Sequence, residues 1–280
     1  GVWRSSRVGI PGLTGRRTML VTAAVIAKSC GVILQGQGIR LSGMSGTVLI
    51  TGANRGLGLE HSRQFAERGW RVLACARNPD SAAELRALQQ AFPARVQLLH
   101  LDVTSEGSVK ELVRELNGTP IDILLNNAGT YGPLGAPEGM VYQSLASMDY
   151  AIWREILEIN LLAPFRITVA PAPNVRAGQR HVVVMMTSDL GSISNNTLGG
   201  SHAYRTSKAG LNMLTKGIAN EWRDLIVISM APGWCQTDLG GATAPIDPVD
   251  SVREQQRVFD SLTAEHSGLC LDRFGEPVAW

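Results

Sequence analysis

The stretch Thr47-Val48-Leu49-Ile50-Thr51-Gly52-Ala53-Asn54-Arg55-Gly56-Leu57-Gly58 decides the fold of this chain. Residues 47–51 form a short, continuous apolar run, the pattern of a strand buried on both faces. The run ends in a turn with the spacing G-x-x-x-G-x-G. Helical spacing follows at once over Leu57–Arg68, with Leu59, Ser62, Phe65 and Ala66 in phase and Gly69 as the stop. Glycines let the backbone turn tightly and approach an anion closely, while the helix behind them aims unpaired N–H groups at it. A tight turn between a strand and a helix would need glycines too. Its place after the first strand and before a helix favours a phosphate-binding turn.

Working outward, the same alternation continues to the end of the chain. Further apolar runs of strand length lie at Arg71–Ala76, Val96–Leu101, Ile121–Leu125, His181–Met186 and Leu225–Met230. Helical stretches separate them at 81–91, 105–116, 147–170 and 202–222. Ser81 with Glu84 three residues on predicts a capping box for the first of these. Pro171 and Pro173 lack backbone donors and should break the third near residue 170. Continuous apolar strands alternating with helices predict an α/β fold: one doubly wound parallel sheet with helices on both faces, over residues 44–280. The Gly-, Ala- and Pro-rich segment Leu239–Asp250 is expected to be a mobile lid that sets specificity.

With 280 residues, 44% hydrophobic and 18% charged, the chain can bury a large core without staples. Cys30, Cys75, Cys235 and Cys270 are far apart and form no C-x-x-C pair, so they read as reduced thiols with no metal site and no disulfide framework. Residues 1–43 differ from the rest: they carry Arg4, Arg7, Arg16, Arg17, Lys28 and Arg40 and no acid. The whole chain is only +2, so the remainder is mildly acidic, and nothing argues for a nucleic-acid partner. The apolar run Met19–Ile26 is too short to span a bilayer. Residues 1–43 are expected to be disordered or a non-native extension ahead of Met44, with the protein cytoplasmic. Their Arg-rich, acid-poor composition also fits an organellar transit peptide.

Tyr204 and Lys208 are four residues apart in a helical stretch, so the phenol and the ammonium share a face. A neighbouring cation favours the phenolate and draws a pKa near 10 toward the working range. That spacing is common by chance. Ser188, just past the run ending at Met186, and Asn126-Asn127-Ala128-Gly129, just past the run ending at Leu125, add weight. Both sit at strand carboxyl ends, where open α/β sheets build their sites. The second strand ends at Ala76 with no acid to hold a free 2′-hydroxyl, and Arg77 follows it. Together with Arg55 in the glycine turn, that arginine would pair with a 2′-phosphate, which predicts NADP(H) over NAD(H).

The Thr51–Gly58 turn, Leu101-Asp102-Val103, Asn126–Gly129, Asn160, Ser188, Tyr204/Lys208, Ala231-Pro232-Gly233 and Thr237-Asp238 occur in order from about residue 45 onward. In this combination they resemble the short-chain dehydrogenase/reductase family and imply its Rossmann-type fold. The resemblance implies carbonyl–alcohol redox chemistry on a small molecule, with Tyr204 exchanging a proton with the substrate oxygen and Ser188 hydrogen-bonding that oxygen. Lys208 would hold the nicotinamide ribose and lower the tyrosine pKa, and Asn160 would support a proton-relay water chain. By the same resemblance the cofactor contacts are Gly52, Asn54, Arg55, Gly56, Leu57, Gly58, Arg77, Asp102, Val103, Asn127, Ala128, Gly129, Tyr204, Lys208, Pro232, Gly233 and Thr237. Asp102 would sit by the adenine, and Pro232, Gly233 and Thr237 around the carboxamide. Asn196–Gly200, Pro232-Gly233-Trp234, Glu265–Gly268 and Pro277–Trp280 are similar to the C-factor-like branch, related to small carbonyl reductases. The founding member of that branch is associated with cell–cell signalling, so a dinucleotide-binding signalling protein with little turnover is the alternative. The family implies a homodimer or homotetramer. Tyr131 and Trp234 are candidates for lining the substrate pocket, and Trp153 and Trp222 read as packing.

Overall fold

The computed structural model describes residues 45–280. The expectations for residues 1–43 and for a start at Met44 lie outside the described residues, as does Cys30.

Among the described residues the six apolar runs and a short seventh strand form one parallel sheet, in the order β3-β2-β1-β4-β5-β6-β7. These are β1 (Thr47–Thr51), β2 (Arg71–Ala76), β3 (Val96–His100), β4 (Ile123–Asn126), β5 (Val182–Met186), β6 (Ile226–Ala231) and β7 (Cys270–Asp272). Side chains alternate faces along a strand, so each strand feeds two cores. On one face, Val48, Ile50, Val72, Val184 and Met230 pack with Phe65, Leu85 and Phe259. On the other, Leu49, Leu73, Leu124, Val183 and Val227 pack with Val109, Leu112, Ile167 and Leu211. The helices supplying the first set are α1 (Gly56–Glu67), α2 (Ala83–Ala91) and α8 (Pro248–Ser261). Those supplying the second are α3 (Glu106–Leu116), α5 (Ala163–Val169) and α7 (His202–Glu221). The doubly wound sheet is as expected. Chain order reverses between β1 and β4, and the crevice at that switch point is where such sheets bind ligands.

Several local readings need correction. Ser81 does not cap α2: Pro79 opens a 3-10 turn over Pro79–Ser81, the Ser81 hydroxyl donates to Asn78 O, and Ala82 takes the cap position. The stretch read as one helix over 147–170 is α4 (Tyr150–Leu157), a π-helical turn (Glu158–Leu162) and α5. The break before Pro171 occurs as expected, and a short helix, α6 (Ala172–Arg176), follows with Pro173 in its first turn. The lid segment read to Asp250 ends earlier, because Asp247 caps α8 through its side chain and Pro248 starts the helix. No described helix is long and apolar enough to cross a membrane.

Candidate active site

The glycine turn is built as a cradle. Gly52 and Gly56 adopt φ +65 and +53, a left-handed backbone that favours glycine. A β-carbon on Gly58 would lie 2.3 Å from Gly52 O, so only glycine lets the helix pack this close to the turn. Helix α1 then opens with Arg55 in extended conformation and no side-chain cap, leaving its first-turn N–H groups facing the turn. An uncapped N-terminus behind a glycine cradle fits a pyrophosphate. From the far side Thr237 faces it, with Cγ2 3.5 Å from where a β-carbon on Gly56 would stand. Asn54 and Arg55 are exposed at the rim, and Leu57 is half-buried.

The loop after β4 is tied to this cradle. Thr51 Oγ1 accepts the backbone N–H groups of Asn127 and Ala128, both at 3.0 Å. Asn127 Nδ2 donates to Thr51 O at 2.9 Å and Gly52 O at 3.2 Å, so this side chain braces the turn. Asp102 is held below the usual carboxylate range, chiefly by the Thr104 hydroxyl, with its backbone N–H and Arg77 adding to the effect. Arg77 is therefore near Asp102, exposed beyond β2, with Val103 half-buried beside it. Arg55 is not free in the protein alone: its Nη1 pairs with Asp238 Oδ2 at 3.0 Å, from the turn to the loop after β6.

Asn160 lies in the π-helical turn and is fully buried. Its Oδ1 accepts the Thr130 N–H and its Nδ2 donates to Thr130 O, both at 2.8 Å, with a further bond from Nδ2 to Ser207 Oγ at 3.1 Å. Lys208 is buried on α7, and Nζ donates to Met186 O at 2.8 Å. A β-carbon on Gly129 would stand 3.4 Å from Asn160 Oδ1 and 3.6 Å from Lys208 Nζ, so both converge on that glycine. Lys208 Nζ is 5.6 Å from the centre of the Tyr204 ring. Ser188 is half-buried at the end of β5, its hydroxyl accepting the Leu190 N–H at 3.1 Å. Tyr204, Lys208, Ser188 and Asn160 thus lie in one neighbourhood.

The electrostatics differ from the expectation. Burial pushes the Tyr204 phenol well above its usual range, with the Ser188 hydrogen bond acting the other way. Burial also pulls Lys208 down to about 8. Desolvation disfavours the charged form of each group. Lys208 spends one of its three donors on Met186 O, and a buried ammonium with two further donors fits the hydroxyl pair of a ribose.

Sequence reasoning named Tyr131 only as a pocket-lining candidate and missed the other partners that hold these groups. Tyr131 is buried, its ring centre 4.9 Å from that of Tyr204, and its hydroxyl is 2.5 Å from Ser201 Oγ. Thr130 and Gln143 lie in a loop without periodicity, and no sequence signal marks them. Trp234 is half exposed in the loop after β6, with Nε1 bonded to Gly240 O. Trp153 bonds Thr206 Oγ1, and Trp222 packs under Arg176. Pro232 is buried, and its carbonyl accepts the Ser251 hydroxyl at 2.8 Å. Gly233 beside it has φ +79. Cys75, Cys235 and Cys270 are free and buried. No metal-ligating cluster occurs among the described residues.

A family profile described as short chain dehydrogenase matches residues 46–245. The chain belongs to the short-chain dehydrogenase family. Its relatives in that family include C-signal of Myxococcus xanthus, 40% identical over 163 residues covering 58% of this chain and 93% of that protein. The short chain dehydrogenase gsfK of Penicillium aethiopicum is 30% identical over 260 residues, covering 85% of this chain and all (100%) of that one. Among solved short-chain dehydrogenase structures, the carbonyl reductase Sniffer of D. melanogaster superposes with a TM-score of 0.77 at 28% identity, covering 85% of this chain and 100% of its own. The NADPH-bound carbonyl reductase from chicken fatty liver gives 0.75 at 27% identity, covering 84% and 99%. Short-chain dehydrogenase membership makes this chain a member of an oxidoreductase family, and the match to C-signal agrees with the branch expected from its sequence.

Proposed function

We propose that this short-chain dehydrogenase interconverts a carbonyl and an alcohol on a small molecule, using NADP(H). The observation that carries the reading is the convergence of Lys208 and Asn160 on Gly129, with the Tyr204 phenol and Ser188 hydroxyl beside them at the sheet's switch point. Bound cofactor would supply the hydride for reduction. Ser188 donates a hydrogen bond to the substrate oxygen and orients it. Tyr204 gives that oxygen its proton. Lys208 binds the ribose through its two remaining donors, and its positive charge favours the phenolate that Tyr204 becomes. Asn160 fixes Thr130, and with it the loop that ends at Gly129.

The preference for NADP(H) rests on Arg55, Arg77 and the absence of an acid at Ala76. The chicken fatty liver carbonyl reductase, solved with NADPH bound, supports it. The test is a panel of small ketones, aldehydes and quinones with NADPH and with NADH. Turnover with NADPH that Tyr204→Phe removes is the expected result. No binding of NADPH would sink the reading.

The similarity to C-signal favours a second reading, a dinucleotide-binding signalling protein that needs little turnover. A Tyr204→Phe chain with full activity in cells, and a Gly56→Asp chain with none, would select it over the enzyme.

A further inference from the structure

Gln143, in the loop between β4 and α4, has no solvent exposure (0%) although no sequence pattern singles it out. Its Oε1 accepts the backbone N–H of Tyr204 at 2.8 Å, and its Nε2 donates to Tyr131 O at 2.7 Å. Its own carbonyl accepts the N–H of His202 at 3.2 Å. His202 and Tyr204 are the first and third residues of α7.

The start of α7 explains why these bonds are needed. A helix begins with N–H groups that lack acceptors within it, and an extended cap residue normally supplies a side-chain oxygen. Ser201 occupies that place with φ +47, left-handed, and makes no cap bond. Its hydroxyl instead lies against Tyr131 Oη. The two residues before it, Gly199 and Gly200, are also left-handed, at φ +66 and +68. The N–H of buried Tyr204 would therefore be orphaned. Its acceptor comes from a side chain 61 positions earlier in the sequence.

We propose that Gln143 is the positioning residue that holds Tyr204 for proton transfer, capping α7 from the β4–α4 loop and clamping the Tyr204 backbone to that of Tyr131. The inference rests on the proton-donor role given to Tyr204 above. The clamp sets the spacing of the two tyrosine rings, and a displacement of about 1 Å at a reacting group costs on the order of a hundredfold in rate.

Two variants of the full chain test it. Gln143→Met keeps the length and removes both amide bonds. It should lower kcat about tenfold to a hundredfold while Kd for NADPH stays within about twofold. In Gln143→Glu, a protonated carboxyl reproduces both bonds, its O–H donating to Tyr131 O and its other oxygen accepting the Tyr204 N–H. The ionised form lacks the donor. Its kcat relative to the unmodified chain at each pH should rise toward unity as pH falls to about 5 and drop at higher pH, a profile that general loosening would not produce. Unchanged kcat in Gln143→Met overturns the inference. So does a parallel loss of kcat and NADPH affinity without acid rescue in Gln143→Glu. If Gln143→Met does not fold, the pH profile of Gln143→Glu decides alone. Full activity in Tyr204→Phe, or no turnover by the unmodified chain, overturns the reading of Tyr204 and this inference with it. An inactive Tyr204→Phe beside an unimpaired Gln143→Met removes only the role of Gln143.

Discussion

Lys208 Nζ donates to the carbonyl of Met186 at 2.8 Å, so the buried ammonium is anchored to the last residue of β5 and not to the phenol four residues before it. Burial draws its pKa to about 8, below the usual 10.5. Between those two values the unfolded chain binds more protons than the folded one, so stability rises with pH across that window. The destabilisation is complete below about 8 and amounts to about 3 kcal/mol. Melting temperatures of Lys208→Met should show a flatter profile over the same range. NADPH affinity should weaken as pH passes through about 8 and the ammonium loses its proton, and Lys208→Met should bind more weakly without that dependence.

Tyr204→Phe removes one oxygen from a buried, well-packed ring. Its kcat should fall by roughly 10²–10⁴, the range for losing a general acid. Kd for NADPH, followed by fluorescence titration, should stay unchanged, because the phenol serves the substrate oxygen.

Asp238 competes with a 2′-phosphate for the Arg55 guanidinium. Arg55→Ala should weaken NADPH about tenfold and NADH little, since a hydrogen bond to a charged group contributes about 1.5–3 kcal/mol. Asp238→Asn should act in the opposite direction and only a few-fold, because so exposed an ion pair contributes about 0–1 kcal/mol. Calorimetric titration with both cofactors measures each effect.

His61 is buried between Phe65 and Phe259, and burial lowers its pKa to about 4, with the Gln255 bond opposing the shift. The unfolded histidine protonates at about 6.5, so stability falls as pH drops from about 6.5 to about 4, by about 3 kcal/mol in total. His61→Phe should lose this acid-dependent part in denaturant melts. The gain at acid pH would be accompanied by a neutral-pH loss, since Gln255 would lose its partner.

The strands of the sheet interior were legible because a strand buried on both faces is written as an unbroken apolar run, as in Val182–Met186. β7 was not: it is three residues long at the sheet's edge beside β6, so it presents no run to read. The α8 helix was hidden behind a Gly- and Pro-rich segment whose character seemed to extend to Asp250, although Asp247-Pro248 is itself a helix start. In the site, Tyr204, Lys208 and Ser188 were visible because their spacing follows from helix and strand periods. Gln143, Thr130 and Ser201 were not, because their roles depend on contacts between distant loops. The contact of Arg55 with Asp238 depends on how the loop after β6 lies against the glycine turn, which no local pattern encodes.

The π-helical turn at Glu158–Leu162 also changes how this helix counts. Its ladder there spans five residues where an α-helix spans four, so the chain holds one residue more than a regular helix of the same length would require. Removing Ile159 would satisfy the regular ladder and rotate everything on one side by about 100° relative to the other. Asn160 and Ile167, both beyond the deletion, would keep their common phase, while buried Ile156 on α4 turned away relative to them. The extra residue sets the phase between α4 and the chain from Asn160 onward, so the amide reaches Thr130 while Ile156 before it and Ile167 after it both stay buried.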